Sequence, residues 1–84
     1  MRQAIQLTVE DKPGVLMRVI GIITAKGANI ESVSVQPDIG DAGVTRVFIV
    51  ADVDLRLKQR VVNEMNRLVQ VFLAVDVSDQ LPQV

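Results

Sequence analysis

The chain has 84 residues, a formal net charge of -1, an apolar fraction of 49% and a mean hydropathy of +0.33, values that suit one small domain with a compact core. It contains no cysteine and no histidine, which excludes disulfides, thiolate nucleophiles, Cys/His zinc sites and imidazole acid–base chemistry. Lysine and arginine are scattered, and no segment reads as a membrane span or signal peptide, so neither nucleic acid nor membrane is an expected partner and a cytoplasmic location is expected.

From Ala4 to Val9 the residues alternate, with Ile5, Leu7 and Val9 on one face and Gln6 and Thr8 on the other, as in a half-buried strand. Asp11-Lys12-Pro13-Gly14 breaks that run, and Pro13 sits where a helix start loses nothing by a missing N–H. A helical stripe follows: Leu16, Val19, Ile20 and Ile23, widened by Val15 and Ile22 and stopped at Gly27. Gly21 inside this helix costs about 1 kcal/mol relative to alanine.

Asn29 to Gln36 reads as a second strand, with Val33 and Val35 on one face and Ile30, Ser32 and Ser34 on the other. Turn chemistry from Pro37 to Gly43 leads into a third strand, Val44 to Ala51. Asp52 or Asp54 caps a second helix with the stripe Leu57, Val61, Met65 and Leu68, and Lys58 falls on its polar face. Val71 to Val77 is the last strand. The domain is expected to span residues 1–78, with 79–84 a disordered tail.

The order β-α-β-β-α-β predicts an α+β ferredoxin-like fold, a four-stranded antiparallel sheet with both helices on one face. Strand order 4-1-3-2 is expected, which leaves strands 2 and 4 as edges. On the face away from the helices, Ile30, Phe48 and Val50 form a candidate docking patch for a second protein. Strand 2 has no central proline or lysine, so its open edge invites pairing with a copy of itself.

Gly14 opens the first helix, so free N–H groups around Gly14 and Val15 at its positive end suit a carboxylate. Asp11 and the Asn29 side chain can accept from an ammonium, and Leu16 and Ile30 can line an apolar pocket. A free amino acid fits that set. The topology separates Gly14 from Asn29 by about 18 Å, the length of the intervening helix. An antiparallel dimer across strand 2 can bring Asn29 and Ile30 of one chain to the Gly14 loop of another, and a ligand bound there stabilises the dimer.

At these residues the chain resembles an ACT domain, a small-molecule regulatory module. The runs Val9 to Val19 and Lys26 to Val35, with Gly27-x-Asn29-Ile30-Glu31-Ser32, are similar to the small regulatory subunit of acetohydroxyacid (acetolactate) synthase, and the resemblance covers roughly residues 3–78. It implies a non-catalytic homodimer without a cofactor of its own. It also implies a large thiamine-diphosphate-dependent catalytic partner and feedback control by valine or another branched-chain amino acid. The ligand positions it implies are Asp11, Gly14, Asn29 and Ile30. Two features depart from the pattern: Asp11 stands where asparagine is usual, and the second domain of the longer form is not in these 84 residues. A free-standing ACT-domain sensor for another enzyme or regulator is the alternative.

Other functions on this fold fit poorly. RNA-binding versions use aromatic platforms, and this chain has two aromatic residues and a pI near 5.2. An acylphosphatase-like site needs arginine in the first loop, where only Lys12 is present, and metal transport needs CxxC.

Overall fold

In the computed structural model, which describes residues 1–81, the period-2 runs form strands and the 3.6-residue stripes form helices. The elements are β1 (Arg2–Glu10), α1 (Val15–Ala25), β2 (Asn29–Pro37), β3 (Val44–Asp52), α2 (Leu55–Met65), β4 (Val71–Asp76) and a 3-10 turn, Ser78–Gln80. The sheet is antiparallel with order β2-β3-β1-β4, so β1 and β3 are central as the topology predicts.

One core lies between sheet and helices. Ile5, Leu7 and Val9 of β1 and Val47, Ile49 and Ala51 of β3 meet Val15, Val19 and Ile23 of α1 and Val61 and Met65 of α2. The stripe of α1 is therefore centred on Val15, Val19 and Ile23; Leu16 and Ile20 are only half-buried on its flank. Gly27 takes φ +96° just beyond α1, as a helix stop requires. Asp54 caps α2, its carboxylate accepting from the Leu57 N–H at 2.7 Å.

Two placements differ from the sequence reading for identifiable reasons. A bulge at Glu31 interrupts β2, whose register with β3 shifts between Ile30 and Ser32. The extra residue reverses the alternation, so Ile30 packs with Val33 against the helix-side core instead of lying on the helix-free face. Lys58 is buried at 9% exposure, since its ammonium finds Gln3 Oε1 at 2.8 Å and Asp76 Oδ2 at 2.6 Å. The stem packs while the charge is paired. The Lys58 hydrogen bond, then that of Ser78, lowers the Asp76 pKa from 3.8 to about 2.

The helix-free face carries a second, smaller cluster. Ala4, Val50 and Val77 are buried there, with Phe48 and Leu81 packed against them. Val77 donates its N–H to Ala4 O at 2.9 Å, and Ala4 donates to Ser78 Oγ at 3.0 Å. Asp79, Gln80 and Leu81 thus lie in or beside an ordered turn where the sequence reading expects a disordered tail; residues 82–84 lie outside the described residues. Among the described residues no helix is long and apolar enough to cross a membrane.

Candidate functional site

The β1–α1 connection is shaped by one backbone angle. Gly14 takes φ +86° at the N-cap of α1, and no side chain caps the helix. A Cβ at this position would meet nothing within 4 Å, so the left-handed angle, not crowding, demands glycine. Val15, whose N–H the sequence reading leaves free, donates to Lys12 O at 3.3 Å. Among the described residues the N–H groups of Leu16 and Met17 meet no acceptor, and they supply the free amides at the positive end of α1.

Neighbouring loops brace this turn. Asp11 donates its N–H to Gly43 O at 3.0 Å, and Glu10 donates to Gln70 O at 2.8 Å. Lys12 pairs with Glu10 at 2.8 Å, and that hydrogen bond raises the lysine pKa. Between the turn and the sheet runs a shallow crevice lined by Val9, Glu10, Asp11, Lys12, Val15, Leu16, Val35 and Thr45. The crevice sets the carboxylate of Asp11 and the ammonium of Lys12 beside an aliphatic wall of Val15, Leu16 and Val35.

Of the sequence-derived residues, the crevice gathers Asp11, Val15 and Leu16 beside Gly14. Asn29 and Ile30 are elsewhere. Asn29 pairs with Asp52, which pairs with Arg2 at the start of β1, whereas the Gly14 turn follows Glu10 at its end. Within one chain the Gly14 turn and Asn29 therefore lie at opposite ends of the sheet. Val35 and Thr45 were missed as lining residues, although β2 pairs its last residues, Val35 to Pro37, with Val47, Arg46 and Thr45, close to where β1 ends.

The candidate docking patch changes in content. Phe48 is half-buried on the helix-free face, Val50 is covered at 8% exposure, and Ile30 lies on the opposite side. Larger apolar exposure sits on β4, at Phe72, Leu73 and Val75. The sequence signal was available: Leu73 and Val75 alternate with Ala74, but the strand was read without assigning its faces.

Comparison with known proteins identifies the family of this domain. The model of the AHAS small subunit-like ACT domain matches residues 5–73. A probable acetolactate synthase small subunit of Archaeoglobus fulgidus is 33% identical over 79 residues, 94% of this chain and 49% of that protein. The acetolactate synthase small subunit of Haemophilus influenzae is 32% identical over 80 residues, 95% of this chain and 48% of that one. The chain thus spans about half the length of the curated relatives it matches. In fold, the crystal structure of the acetolactate synthase small subunit from Thermotoga maritima superposes with a TM-score of 0.80 at 24% identity, covering 90% of this chain and 47% of that one. The ACT domain of a Chlorobium tepidum GTP pyrophosphokinase superposes with a TM-score of 0.78 at 18% identity, over 100% of this chain and 92% of that one. The chain belongs to the AHAS small subunit-like ACT domain family.

Proposed function

We propose that this chain is a non-catalytic, cytoplasmic regulatory subunit of acetolactate synthase. In this reading two copies bind a branched-chain amino acid, valine foremost, and pass its occupancy to a large thiamine-diphosphate-dependent catalytic subunit. The observation that carries the reading is the placement of the Gly14 turn and Asn29 at opposite ends of a sheet whose β2 edge is unpaired.

An antiparallel two-fold through the middle of β2 sets Asn29 of one copy level with Pro37 of the other, one strand spacing of about 4.8 Å away. That end carries Val35 and the crevice beside Gly14. The bulge at Glu31 contributes, because it turns Ile30 to the helix side, the side on which Leu16 and the α1 amides lie. Leu16 and Met17 N–H groups then meet the ligand carboxylate, while Asp11 and Asn29 of the second copy accept from its ammonium. Ile30, Leu16 and Val35 enclose the side chain. One methylene there is worth about 0.8 kcal/mol, so valine, isoleucine and leucine are poorly separated.

A thermal-shift panel of the twenty amino acids at two protein concentrations tests the reading. Branched-chain amino acids are expected to raise the midpoint, and the midpoint in their presence is expected to rise with protein concentration. No shift with any of them would contradict it.

A further inference from the structure

We infer that the uncovered half of the helix-free sheet face, centred on Phe72, Leu73 and Val75 of β4, is the docking surface for the large catalytic subunit, and that the contacting segment of that subunit is apolar and flanked by basic side chains. The inference rests on the regulatory reading above and adds to it a surface and the chemistry of the partner.

Three observations carry it. The first is exposure. Phe72, Leu73 and Val75 are 56%, 54% and 41% exposed, an apolar concentration on a single edge strand. Leu73 and Val75 pair with Thr8 and Gln6, whose side chains leave the sheet away from the helices. Phe72 is the extra residue of the β1–β4 register shift, and it lines a crevice with Thr8, Glu10 and Val44 on the same face. A bulge on an edge strand re-aims a side chain outward, and here it displays one of the two aromatic residues of the chain.

The second observation is that this face already accepts polypeptide. Its other half is occupied by the chain's own segment after β4, which lays Val77 and Leu81 over Ala4 and Val50. A partner segment extends the same apolar layer from Val77 toward Phe72.

Charge is the third. Glu10, Asp38 and Asp41 line the crevice beside Phe72. Lys12 pairs with Glu10 and Arg46 with Asp38 at 4.0 Å, so Asp41 leaves the rim with one net negative charge. Such a rim opposes phosphate-bearing surfaces and attracts arginine or lysine, which can also lie over the Phe72 ring. β4 is the edge opposite β2, so a dimer across β2 leaves this surface open.

The test is isothermal titration of the purified large catalytic subunit into the full chain. Leu73→Asp is expected to weaken association at least tenfold, by placing a carboxylate in the apolar centre. Asp41→Asn, which keeps an oxygen to accept from the Gly43 N–H, is expected to weaken it about threefold and flatten its salt dependence. Leu55→Asp, at the 54% exposed start of α2, is expected to bind as wild type. Equal binding by wild type and Leu73→Asp overturns the inference while leaving the regulatory reading standing. Dissociation of the homodimer by Leu73→Asp assigns the face to a second copy and also overturns it. Absence of binding by the wild-type chain overturns the regulatory reading itself.

Discussion

Asn29 and Glu10 stand at opposite ends of one sheet: Asn29 is level with Arg2 through Asp52, and Glu10 lies eight residues further along β1. At the strand rise of 3.4 Å that is roughly 27 Å. No small metabolite touches both ends in a single chain. In the proposed dimer, pairing across the open β2 edge is what joins them into one site.

Gly14→Asp is expected to abolish the ligand-induced thermal shift. The substitution puts a carboxylate into the open space beside the α1 amides, the position proposed for the ligand carboxylate. The +86° backbone angle adds a stability cost of about 1 kcal/mol, and sedimentation of the unliganded variant should match wild type. A retained shift would show that this turn is not the carboxylate site.

Asn29→Ala should leave the fold intact and weaken binding by about 1–2 kcal/mol, the loss of one hydrogen bond to a charged group. Calorimetry measures this directly. An unchanged affinity would remove Asn29 from the site.

Gly21→Ala is expected to stabilise the protein by about 1 kcal/mol in urea unfolding, because an added Cβ meets nothing within 4 Å and helix propensity rises. Ligand affinity should not change. Destabilisation would reveal a contact with another chain at this helix position.

Asp76→Asn probes the buried lysine. The Asp76 pKa is lowered in the fold, so its contribution is present above about pH 4 and is lost as pH falls through about 2. Wild type should therefore exceed the variant in stability near neutrality, and the two should converge as the pH falls across that window. A gap that persists to pH 2 would mean that the ion pair with Lys58 is not its source.

Much of this was legible in the sequence. Alternation in Ile5, Leu7 and Val9 fixed the core face of β1, and Gly27 marked the left-handed stop of α1, whereas the left-handed angle of Gly14 emerges only in the fold. The crevice residues Asp11, Val15 and Leu16 follow from the strand-to-helix turn alone. Ile30 was misplaced because a bulge leaves no mark in the alternation of Asn29 to Gln36 until pairing with β3 is known. Lys58 was misread because its partners Gln3 and Asp76 lie far away in sequence, and a helical period cannot anticipate a long-range ion pair. Val50 was read as exposed because the turn at Ser78–Gln80 and Leu81 carry no strong periodic signal.

Subunit mixing tests the shared pocket most directly. Gly14→Asp and Asn29→Ala chains, each poorly able to bind near the wild-type Kd, are mixed one to one and allowed to exchange. Half of the resulting dimers combine the two variants, and each such dimer holds one site with both wild-type halves. About a quarter of the wild-type binding capacity should return. No recovery after demonstrated exchange would contradict a site built from two chains.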